Sequence, residues 1–83
     1  MKLSEAQKRA LFYAQNDAHQ HGVQLLRIGQ MKCVPSTANA LVKKGLLTEN
    51  LERGYRYALT DAGLQIETGM KFNPDNRGAV VPI

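Results

Sequence analysis

Residues 35–63 constrain this 83-residue chain more than any other stretch. Pro35 presets the backbone at the first position of a helix, Ser36 or Thr37 supplies a capping hydroxyl, and Lys43-Lys44-Gly45-Leu46-Leu47 closes the helix with a glycine stop. Leu46 to Glu49 and Tyr55 to Leu59 then read as two antiparallel strands around the turn Asn50-Leu51-Glu52-Arg53-Gly54. Thr60 is placed as the N-cap and Asp61 as a first-turn acid of a short last helix that ends near Gly69. At about 100° per residue, Val34, Ala38, Leu41 and Val42 of the 35–44 helix face the core, while Ser36, Asn39, Ala40 and Lys43 face outward. Thr37 and Lys44 lie on its flanks.

The flanking segments read from the same rules. Ser4 caps a long first helix whose broad apolar face carries Leu3, Ala6, Ala10, Leu11, Tyr13, Ala14 and Ala18, and Gly22 ends it. Phe12 projects among the polar residues of that helix, either as a dimer contact or as a patch covered by another part of the chain. Residues 23–28 predict a strand and 29–34 a connecting loop. The expected division is one domain over residues 1–70 and an irregular tail over 71–83, in which Phe72, Val80 and Val81 are candidates for docking on the domain or on a second subunit.

Charge adds a functional hint. The formal excess is +4, and six cations against two anions place all of it between residues 27 and 57: Arg27, Lys32, Lys43, Lys44, Arg53 and Arg56 against Glu49 and Glu52. A localised positive excess favours a polyanionic partner, with an ordinary solvated surface as the plain alternative. A chain this short buries only a modest core, which leaves room for a homodimer. Cys33 is the only cysteine, so no disulfide framework and no multi-cysteine zinc site arises, consistent with a reducing, cytoplasmic setting. No apolar run is long enough to span a bilayer, and no membrane association is expected.

At Ser36-Thr37-Ala38-Asn39-Ala40-Leu41-Val42-Lys43-Lys44-Gly45-Leu46-Leu47 and Tyr57-Ala58-Leu59-Thr60-Asp61-Ala62-Gly63 the chain resembles the winged helix-turn-helix superfamily, in particular small bacterial and phage regulators of the multiple-antibiotic-resistance type. The likeness covers about residues 3–69. It implies an α+β winged helix domain, ordered helix, strand, helix, β-hairpin wing and helix. It further implies that the 36–44 helix enters the major groove of double-stranded DNA while Arg53 and Arg56 touch the neighbouring backbone or minor groove. In that setting Ser36 and Thr37 bond phosphate, Asn39 pairs with adenine, Ala40 permits close approach, and Lys43 and Lys44 contact phosphates, with Arg27 and Lys32 nearby in sequence. The interval from Gly22 to Pro35 has room for a strand and a loop, so the helix before the reading helix is expected to be missing or reduced to a turn.

Catalytic signatures are not found. There is no Gly-rich phosphate loop, nucleophile elbow or zinc-protease motif. His19 and His21 point about 200° apart on a helix, so no metal is expected, and Cys33 has Lys32 beside it but no accompanying base. The expectation is a DNA-binding regulator without cofactor. The reading from a different class is a protein-interaction module on the same scaffold, using Phe12, the tail or the wing.

Overall fold

Local capping settles where the helices begin and end in the computed structural model, which describes residues 2–22, 25–26, 28–50 and 56–83. Helix α1 spans Glu5–His21. The Ser4 hydroxyl accepts from the Gln7 N–H while the Gln7 side chain accepts from the Ser4 N–H, a reciprocal capping box that satisfies two otherwise orphaned donors. Gly22, at φ 69°, ends the helix in the left-handed region.

Of the strand expected over 23–28, Leu25–Leu26 forms β1, residues 23, 24 and 27 lie outside the described residues, and Ile28 opens a second helix, α2, Ile28–Met31. The expected 29–34 loop is therefore corrected in its first half to a single helical turn. This turn carries Met31 into full burial beside Leu11, Leu26 and Leu41, a tertiary gain that overrides the glycine at position 29. Helix α3, Pro35–Lys43, starts with proline at its first position, as expected. Its N-cap is Val34, which makes no side-chain cap bond, so neither Ser36 nor Thr37 has the capping place foreseen for it. Val34 was also expected in the core; with the extended backbone of an N-cap it points away and is 61% exposed.

The end of α3 is a Schellman motif. Gly45 adopts φ 76°, its N–H bonds the Val42 carbonyl at 3.0 Å, and the Leu46 N–H reaches back to the Leu41 carbonyl at 3.1 Å. The chain then enters β2, Leu47–Glu49, and returns as β3, Tyr57–Leu59. β3 is the central strand of an antiparallel sheet ordered β1-β3-β2, with Leu26 opposite Tyr57 and Leu47 opposite Leu59. Tyr57 and Leu59 face the core, closed by α1, α2 and α3. The turn expected over Asn50 to Gly54 lies largely outside the described residues.

Helix α4, Asp61–Gln65, is capped by Thr60, whose hydroxyl accepts from the Gly63 N–H at 3.0 Å and donates to the Gly45 carbonyl at 2.7 Å. It stops well before the expected end at Gly69, because Ile66 turns extended and packs against the core. The Gln15 amide of α1 donates to the Gly63 and Ile66 carbonyls, both at 2.8 Å, and so satisfies the end of α4 from across the fold.

The irregular tail is also corrected. Met70–Asn73 forms β4 and Asn76–Pro82 forms β5, an antiparallel hairpin turning at Pro74 and Asp75, where the Asp75 N–H bonds the Asn73 side-chain oxygen at 3.0 Å. Phe72 packs edge-on against Phe12 with ring centroids 4.9 Å apart, and Val80 opposite it is buried. Of the two explanations for Phe12, coverage by another part of the chain is the one observed. The whole is a small α+β domain carrying two small antiparallel sheets.

Gly63 is the tightest point. A Cβ there would collide with the backbone oxygen of Leu46 and lie 2.8 Å from Leu59 Cδ1. Alanine is intrinsically the better helix former by about 1 kcal/mol, but the collision is with backbone and decides the sign. Gly63→Ala is expected to destabilise the domain by about 1–3 kcal/mol in urea unfolding. Thr60→Val, which keeps the shape and removes the cap, is expected to cost about 1–2 kcal/mol. Unchanged midpoints for both variants would contradict this packing.

Candidate functional site

Because Ala38 and Leu41 are wholly buried, the opposite face of α3 must point out of the domain, and Ser36, Asn39 and Lys43 are exposed there. Thr37 and Lys44 are half-buried on its flanks, as expected, and Ala40, expected to face outward, is half-buried as well. No acidic residue occupies the first turn of α3, and Lys43 lies in its last turn, where a cation suits the helix dipole. The β4–β5 hairpin leaves this face alone and lies with Phe72 against Phe12 and Tyr13 of α1.

Beside α3 the sheet provides a second wall. Pro35, Asn39, Glu49, Asn50, Arg56 and Tyr57 line a cleft of about 270 Å³. Arg56 is held by its backbone on both sides: its N–H bonds the Leu26 carbonyl at 3.2 Å and its carbonyl accepts from the Asn50 N–H at 2.8 Å. Its side chain is left exposed at the cleft. Tyr57 is buried, and its hydroxyl donates to Asn39 Oδ1 at 3.1 Å, tying β3 to the outward face of α3. Glu49 contributes the carboxylate of this lining.

Not all the candidate cations gather here. Lys32, in a left-handed backbone conformation at φ 51°, lays its Nζ over the Tyr13 ring of α1 at 5.2 Å from the centroid. The Lys44 ammonium donates to the Lys2 carbonyl at 2.7 Å, which draws it toward the start of α1. Arg27 and Arg53 lie outside the described residues. Ser36, Asn39, Lys43 and Arg56 are therefore the candidate contacts found exposed on or beside the α3 face. Sequence reasoning missed Tyr57 and Glu49 as members of the cleft; the one available signal was that a buried tyrosine hydroxyl needs a partner.

For Phe12, Phe72, Val80 and Val81 the expectation left docking on the domain or on a second subunit open, and within the chain they dock on the domain. Phe12 is half-buried under Phe72, Val80 is buried and Val81 half-buried, so much of this apolar set is satisfied within the chain. Among the described residues, no three histidine, cysteine or carboxylate side chains come together as a metal ion would require. No helix among them is long and apolar enough to cross a membrane.

Cys33 occupies the turn between α2 and α3 and is half-buried against the core. Burial pushes its thiol pKa up, and a backbone hydrogen bond at Ala38 offsets this only in part. The neighbouring Lys32 does not activate it. At neutral pH the thiol is thus held protonated, and iodoacetamide is expected to modify Cys33 more slowly in the folded protein than in urea. Equal or faster modification of the folded form would contradict that environment. Comparison of the chain with protein-family models, with characterised proteins and with solved structures gives no match.

Proposed function

We propose that this protein is a sequence-specific DNA-binding regulator acting in the cytoplasm, built as a winged helix-turn-helix in the order α1, β1, α2, α3, β2, β3. In this reading α3 enters the major groove and the β2–β3 wing, with Arg56 at its base, meets the adjacent backbone. The observation that carries the reading is the uncovered outward face of α3, where Ser36, Asn39 and Lys43 stand exposed beside Arg56. Ser36, near the acid-free helix N-terminus, suits a phosphate oxygen, and the Asn39 amide suits the paired donor and acceptor of an adenine edge. With α2 reduced to one turn, contacts to the DNA backbone fall mainly on α3 and the wing. As a homodimer the protein would set two copies of α3 about 34 Å apart, one turn of duplex.

A second reading has an observation of its own. A groove of about 460 Å³ between α1 and the approach to β4 is walled by Phe12, Ile66, Met70 and Ile83, and Phe72 beside it is 39% exposed. That surface suits a protein-interaction module working without DNA.

The two readings separate in a binding assay. Fluorescence anisotropy on random duplex is expected to give affinity that falls with salt, each phosphate contact contributing roughly −0.9 to the log–log slope. Lys43→Glu combined with Arg56→Glu should weaken binding to all sequences and flatten that slope by about two, with Phe12→Ala silent. Binding that is absent, or indifferent to both salt and the double reversal, would remove the DNA reading.

A further inference from the structure

We propose that Tyr57 is a positioning residue for base recognition: its hydroxyl holds the Asn39 amide ready to read an adenine in the major groove. The inference rests on the DNA-binding reading and deepens it. Asn39 is exposed on α3, and an exposed side chain ordinarily samples several rotamers that binding must then freeze. Here the hydroxyl of Tyr57 donates to Asn39 Oδ1 at 3.1 Å.

Tyr57 itself cannot wander, because it is only 6% exposed and sits in the central strand, between Leu26 of β1 and Glu49 of β2. The rigid sheet thus fixes an otherwise mobile amide. The bond uses one lone pair of Oδ1. It leaves a second lone pair to accept from adenine N6 and both Nδ2 hydrogens to donate, one of them to adenine N7. The hydroxyl does not touch the base and adds no charge, so its contribution belongs to selectivity and not to the salt-dependent attraction of phosphates.

Tyr57→Phe tests this, because the ring still fills the core while the hydroxyl is lost. A duplex chosen by in vitro selection with the wild-type chain serves as the probe, alongside random duplex and the selected duplex with 7-deazaadenine in place of its adenines. Tyr57→Phe should lose about threefold to tenfold in affinity for the selected duplex, as expected for freezing one side chain, with random-duplex affinity and salt slope unchanged. In an Asn39→Ala background the same change should have no further effect, and on the 7-deazaadenine duplex, which keeps the N6 amino group and loses N7, it should have a smaller one. In the free protein, the NMR order parameter of the Asn39 side-chain amide should drop in Tyr57→Phe. Equal losses on selected and random duplex, a Tyr57→Phe effect that persists without Asn39, or an unchanged Asn39 order parameter would each overturn the proposal. If the wild-type chain binds no duplex in a salt-dependent way, the DNA reading fails and takes this one with it, an outcome distinct from a loss of selectivity alone.

Discussion

The seating of the α4 start on the end of α3 is the contact on which the rest of the domain depends. Thr60 donates to the Gly45 carbonyl, its own N–H bonds the Leu46 carbonyl at 3.2 Å, and Gly63 lies against the Leu46 backbone with no room for a side chain. The glycine stop of α3 and the capped start of α4 are therefore one joint. Closing it holds β2 and β3 in register between them, with Leu47 opposite Leu59, and so determines where Tyr57 and Arg56 stand relative to α3.

From that joint follows the geometry of the outward surface. β3 is paired on both edges, which makes it the stiffest platform available in so small a sheet. Tyr57 carries its position through the core to Asn39, and Arg56 is anchored by backbone bonds to β1 and to the segment after β2. The α3 face is thus defined from behind by packing within the domain. On the other side of the molecule, Gln15 and the Phe12–Phe72 pair fasten α4 and the terminal hairpin to α1, away from that face.

Where structure follows from neighbours in the chain, it was legible in the sequence. Ser4, Gly22, Pro35, Gly45 and Thr60 each act through dihedral preference or a bond to a residue three or four positions away, and each has the place read for it. What depends on distant partners was not. Gly29 read as a loop signal, yet the burial of Met31 makes a helical turn there. Residues 71–83 read as a loose tail because the ring contact that fastens the hairpin joins Phe72 to Phe12, sixty residues earlier. The outward face of α3 was correctly drawn at Ser36, Asn39 and Lys43, but the diversion of Lys32 to Tyr13 and of Lys44 to Lys2, and the Tyr57–Asn39 bond, join residues that no spacing rule connects.

Titration of isotope-labelled protein with duplex DNA, followed residue by residue through amide shifts, tests most directly whether the α3 face is the working surface. If it is, the largest shifts appear at Ser36, Asn39, Lys43 and Arg56, and the resonances of Phe12, Phe72 and Ile83 stay in place. Shifts confined to the groove beside Phe12, or none at any residue at low salt, would contradict it.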